Sequence, residues 1–78
     1  MMEDQLKEFL ADFFDIDVKS INDDFSQVSH GDWDSMTHLR MITALENEFS
    51  MKFTMAEIQQ MTTYRAIKEK VRNNVGGW

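Results

Sequence analysis

The sequence predicts an all-α fold, a small four-helix bundle with a long first loop and a short third helix, and three observations carry that reading. Apolar residues recur at the helical period near the start, in the middle and near the end of the chain. No run alternates apolar and polar as a half-buried strand does. Residues able to cap a helix stand at the head of each later apolar run. With 78 residues and no cysteine, packing alone must hold the core, and a chain of this size commands only about 3–5 kcal/mol of net stability. No proline, repeat or low-complexity tract divides it. Residues 1–78 are therefore expected to form a single domain, with 1–2 and 74–78 frayed.

Leu6, Phe9, Leu10, Phe13 and Phe14 fall at i, i+3, i+4, i+7 and i+8, one face of a first helix. The period then stops. From Asp15 to Asp34 the chain is rich in Asp, Ser and Asn, with Ile16, Val18, Ile21, Phe25 and Val28 scattered through it. A loop of that length is uncommon in a compact domain, so these five are candidate anchors to the core.

A second helix starts at Asp34-Ser35-Met36. Asp34 is placed to accept from the amide of Met36 or Thr37, and Trp33, just before the cap, to staple against His38 at the fourth helical position. Met36, Leu39, Met41, Ile42, Leu45 and Phe49 cover more than half of the wheel, leaving Thr37, Arg40, Ala44, Asn47 and Glu48 on the wet side. That width predicts a central helix with neighbours on several sides. After it, Thr54 and Glu57 have the spacing of a capping box for a short helix holding Met55, Ile58 and Met61. Thr62-Thr63 opens the last helix, with Tyr64, Ile67 and Val71 inward and Arg65, Lys68, Glu69 and Arg72 outward.

The net charge is −6, and unevenly spread: residues 1–34 hold ten acids and two bases, residues 35–78 four acids and six bases. An acidic surface repels phosphate backbones, so no nucleic-acid partner is expected. Simple solubility accounts for the same excess. No apolar run approaches the roughly 18 residues of a membrane helix, and the N-terminus lacks an apolar signal region. A cytoplasmic monomer with no membrane partner is expected.

Several constellations offer chemistry. Asp34, Ser35 and His38 have the residue types of a hydrolytic triad, yet no glycine brackets the serine as in a nucleophile elbow, and so small a bundle has little room for a cleft. No catalytic residue is expected. His30, Asp32, Asp34 and His38 cluster in sequence, but without a recognised zinc spacing, and a calcium loop from Asp15 fails at Lys19 and Ser20. No metal is expected either. The seven methionines, five of them at 36, 41, 51, 55 and 61, are core filler or the plastic lining of an apolar groove.

The stretch Asp32 to Phe49, "DWDSMTHLRMITALENEF", resembles the Asp-Ser-Leu/Met signature and second helix of acyl carrier proteins. The likeness extends through the acidic Asp23-Asp24-Phe25 loop, the short capped third helix and the last helix, in the family's order. It implies an acyl-carrier-protein-like bundle in a free-standing carrier that is not itself an enzyme. Ser35 would receive 4′-phosphopantetheine covalently from coenzyme A, through a separate phosphopantetheinyl transferase. A loading ligase and a downstream transferase or synthase are the further partners implied. The lack of cysteine fits, because the arm would then hold the only thiol. Beside Ser35, Asp34, Met36, Arg40, Glu46, Glu48 and Met55 are candidate partner-recognition residues. Leu39, Met41, Ile42, Ile58 and Met61, together with Met55, are candidates to line a pocket for an apolar acyl chain.

Two departures from the family stand out. Carriers of primary fatty-acid synthesis usually present acids along the exposed side of the second helix; here Thr37, Arg40 and Asn47 stand there, and Arg40 inverts the sign. Ser50 replaces the glycine common at that helix's end, so a left-handed cap has no support in the sequence. The pattern resembles carriers of specialised pathways: polyketide, nonribosomal peptide or surface-glycan modification. An aminoacyl or peptidyl carrier stays open. So does a helical adaptor that binds a partner helix and carries nothing.

Overall fold

The structure, a computed structural model, describes residues 2–27, 31 and 33–75. Among these, helix α1 spans Met2–Phe14, α2 Ser35–Phe49, α3 Met55–Gln60 and α4 Tyr64–Asn74, with a single 3₁₀ turn at Val18–Ser20. The expected ends 1–2 and 74–78 overlap these bounds: Met2 and Asn74 are helical, and Met1 and residues 76–78 lie outside the described residues. No described helix is long and apolar enough to cross a membrane.

The core forms where the three longer helices turn their apolar stripes together. Leu6, Leu10 and Phe14 come from α1, Met41, Ile42 and Leu45 from α2, and Tyr64, Ile67 and Val71 from α4, all buried. Connections supply the rest: Ile21, Phe25, Trp33, Met51, Phe53 and Met61 are buried too. Tyr64 also ties the two ends of the chain together, its hydroxyl donating to Glu3 at 3.0 Å. Burial, and then that carboxylate, push the phenol well above its ordinary range.

The long loop lies on the core, as its apolar residues predict, though not through all five of them. Ile21 and Phe25 are buried and Ile16 is half-buried. Val18 is 41% exposed: it opens the 3₁₀ turn, whose cap Asp17 accepts from the amide of Lys19 at 2.9 Å, and so faces outward. Val28 lies outside the described residues. A further tether has no hydropathy signature. Ser26 and Thr63 form an isolated antiparallel bridge, with Gln27 donating to Thr62 O and Tyr64 to Phe25 O, both at 2.8 Å.

The expected caps form. Thr54 and Glu57 bond reciprocally at 2.9 and 3.2 Å, and Thr63 caps α4 through the amide of Ala66 at 3.0 Å. α3 ends at Gln60, so Met61 is its buried C-cap rather than a helical residue.

Helix α2 corrects the wheel. Met36 and Leu39, grouped there with the interior, are 64% and 55% exposed, while Phe49 is half-buried. The reason is coverage: six-residue α3 is only about 9 Å long and cannot clothe a second flank of the 15-residue α2. Both α1 and α2 stop with a residue in left-handed conformation, Asp15 at φ 56° and Ser50 at φ 52°. Ile16 N–H then reaches back to Ala11 O, and Met51 N–H to Glu46 O, each at 3.0 Å. These are Schellman-type ends. At Ser50 the helix adopts such an end without the glycine that makes it cheap.

Ser50→Gly should therefore raise stability by about 0.5–1 kcal/mol, the relief of left-handed strain exceeding glycine's extra chain entropy. Urea unfolding of the two proteins measures it.

Candidate functional site at the start of the second helix

Trp33 fixes where α2 begins. Its indole lies against Phe14 and Phe25, ring centroids 5.2 and 5.4 Å away, and stacks on His38 at 6.0 Å. Its Nε1–H donates to His38 Nδ1 at 3.0 Å. The expected staple is thus reinforced by a hydrogen bond. An indole nitrogen only donates, so Nδ1 must carry the lone pair and Nε2 the proton. Nε2–H in turn donates to Ile58 O at 2.7 Å. The buried imidazole is therefore the neutral Nε2–H tautomer, joining the start of α2 to α3.

Between the two rings the chain is extended at Asp34, whose Oδ1 accepts the Thr37 amide at 2.8 Å, while its carbonyl accepts from His38 N–H at 2.8 Å. The hydrogen bonds from Thr37, helped by the positive charge of Arg40, hold the carboxyl below the usual carboxylate range. Ser35 is the first residue of α2 and exposed. Its hydroxyl, and the amides of Ser35 and Met36, have no partner among the described residues. A free hydroxyl beside two unsatisfied amides at the positive end of a 15-residue helix suits a phosphodiester.

The same geometry occupies the imidazole of His38. Both nitrogens of His38 are engaged, so it has no lone pair to serve Ser35 as a base or to bind a metal. His30 and Asp32 lie outside the described residues, among which no group of three potential ligands gathers.

The other expected site residues divide. Met36, Leu39 and Arg40 line a shallow depression of about 440 Å³ with Thr43, Ala44 and Asn47. Met55, the first residue of α3, is 66% exposed. Glu46 is half-buried and accepts the Phe53 amide at 2.9 Å, so this carboxylate holds the α2–α3 connection. Glu48 is exposed at the far end of α2. Of the five acyl-lining candidates, Met41, Ile42 and Met61 belong to the core, Ile58 packs at its edge, and Leu39 lies outside. The Ile58 carbonyl, which no residue pattern announces, is the acceptor that completes the site.

Two outcomes follow from these contacts. Trp33→Phe keeps the stacking but strands His38 Nδ1 in the interior, and should cost about 1–3 kcal/mol, read by chemical denaturation. Because the Asp34 carboxyl is depressed in the folded state, its capping contribution is complete above the ordinary carboxyl range and is lost as pH falls through the lowered value. A ¹³C NMR titration should place its midpoint below that of exposed aspartates, and Asp34→Asn should abolish this part of the acid dependence while keeping the cap.

Residues 4–71 match the family described as the phosphopantetheine attachment site. Over 74 residues the chain is 30% identical to polyketide-8 synthase acyl carrier protein 2 of Streptomyces avermitilis, an alignment that takes in 95% of this chain and 85% of that protein. A match running from α1 into α4, over a helical bundle whose second helix starts at an exposed serine, puts this chain in the acyl carrier protein family, with covalent 4′-phosphopantetheine as its prosthetic group.

Proposed function

We propose that Ser35 bears the 4′-phosphopantetheine arm, and that the protein presents acyl intermediates on it to the enzymes of a specialised, polyketide-type pathway. The observation that carries this reading is the exposed Ser35 hydroxyl, without a partner among the described residues, on the first residue of α2, at a start fixed by Trp33 and by the Asp34 cap. When bound, the arm supplies the thiol that holds cargo as a thioester. The chain's own part is positional. Ser35 Oγ provides the attachment atom, the amides of Ser35 and Met36 face the phosphodiester, and the rigid helix start sets the direction in which the arm leaves. No bond-making chemistry falls to the carrier; a phosphopantetheinyl transferase, a loading ligase and a synthase or transferase perform it. Dependence on coenzyme A fits work in the cytoplasm, with the carrier acting as a monomer. The polyketide assignment rests on the Streptomyces relative.

Partners meet an apolar face with one cation. Met36, Leu39 and Met55 offer exposed apolar surface, Asp34 a single carboxylate, and Arg40 a positive charge between them in sequence. Such a face favours an enzyme with an apolar socket and an acidic rim over one built for an acidic stripe. An apolar cargo folding back from Ser35 would pass Leu39 and reach Met41, Ile42, Ile58 and Met61 only by parting α2 from α3.

Incubation with coenzyme A, Mg²⁺ and a broad-specificity transferase should raise the intact mass by one phosphopantetheine, and Ser35→Ala should abolish the gain. Unmodified wild type across several transferases overturns the assignment. Arg40→Glu should lower kcat/KM with the carrier's own loading enzyme about tenfold, with folding unchanged; equal kinetics remove Arg40 from recognition. Acylation of the loaded arm should raise Tm if the cargo is sheltered, and an unchanged Tm rules out an interior pocket.

A further inference from the structure

The end of α2 far from Ser35 holds a second surface. Phe49 lies 14 residues beyond Ser35 on the same helix, about 21 Å along its axis. There α1 and α2 border an open cleft of about 730 Å³. Its floor is aromatic: Phe9 stacks on Phe13 with centroids 6.4 Å apart and meets Phe49 edge-on at 6.0 Å, all three half-buried. Its rim is acidic. Glu8, Asp12 and Glu48 are exposed, and none of their carboxylates has an ion pair or hydrogen bond among the described residues.

Ring faces beneath unpaired carboxylates select a cation with an apolar stem, above all a guanidinium, which stacks on a ring while its edge meets an acid. On α1 the cleft runs from Gln5 to Phe13, about 12 Å or two helical turns. That shape fits a strip of side chains from one helix; small-molecule sites enclose most of their ligand, and this one is open. Charge argues the same way, since residues 1–34 carry ten acids against two bases.

We infer that the cleft between α1 and the end of α2 is a docking site for an arginine- or lysine-bearing amphipathic helix of a partner protein, separate from the face around Ser35. Glu48, expected from the sequence to serve partner recognition, belongs to this surface. Separation along α2 lets a partner hold the carrier here while the serine end stays free for an active site. Tethering of this kind raises the local concentration of the arm without a contact near it.

The test uses the full-length ¹⁵N-labelled protein and a synthetic 16-residue helical peptide with leucines on one face flanked by arginines, beside a scrambled peptide of identical composition. Chemical-shift changes should gather at residues 5–13 and 48–50. The scrambled peptide, and the Glu8→Gln/Asp12→Asn protein with the ordered peptide, should each bind at least tenfold more weakly. Three results overturn the inference: no binding; equal affinity for both peptides with shifts spread over Asp15, Asp17, Asp23 and Asp24; or peptide-independent shifts that grow with protein concentration and include Arg65 and Arg72 of α4, the mark of a second copy in the cleft. Phosphopantetheine loading of the same samples is followed by intact mass. The Glu8→Gln/Asp12→Asn protein should load at the wild-type rate, and loss of loading to this change would also overturn the separation of the two surfaces. Failure of every form to load removes the carrier assignment, whereas the shift map decides the cleft independently.

Discussion

The bridge from Trp33 through the neutral imidazole of His38 to the carbonyl of Ile58 is the contact on which the rest of the molecule turns. It joins three parts that sequence distance keeps apart: the end of the long loop, the first turn of α2, and short α3. Each ring nitrogen has one partner and one role, so the network is fully satisfied and rigid rather than a buried polar liability. The indole carries the connection further, onto Phe14 and Phe25. Through those rings α1 bears on where α2 starts. A serine at the head of a frayed helix would point in many directions; here the residue two positions before it is locked, and its direction is set by the core.

This bridge also frames any shelter for cargo. Met41, Ile42 and Met61 lie inside a closed interior, and α3 is held to α2 by the hydrogen bond from His38 Nε2 to Ile58 O. Opening a passage between the helices stretches that bond, and a strained His38 pulls on the indole beside the serine. Separation of α2 from α3 and the conformation at Ser35 are thus mechanically linked.

Much of this was legible in the sequence, for physical reasons that can be named. Repeating apolar positions exposed α1 and α4, because a helix buried along one stripe imposes its own 3.6-residue period on the chain. Asp34, Thr54 and Thr63 declared their helix starts through local hydrogen bonding, which depends only on near neighbours. Legibility failed where the partner is distant or generic. A main-chain carbonyl such as that of Ile58 has no signature in residue type. The apolar arc of α2 showed which residues avoid water in general, and not that α3 is too short to cover Met36 and Leu39. Ser50 hides its left-handed backbone because glycine is the usual marker of such an end and is absent here. At the candidate site, the start of α2 at Ser35, its cap and its staple could be read, and the division between exposed face and closed core could not.

The exposed thioethers give the serine end a chemical sensitivity that the interior lacks. Met36 and Met55 stand open to solvent, whereas Met41 and Met61 are sealed. Oxidants act on methionine according to access, turning an apolar, pliable side chain into a polar sulfoxide. Under peroxide stress the sulfurs of Met36 and Met55 are therefore converted before those of Met41 and Met61. The protein would remain folded with a wetter surface around Met36 and Met55, and a methionine sulfoxide reductase could restore it without resynthesis.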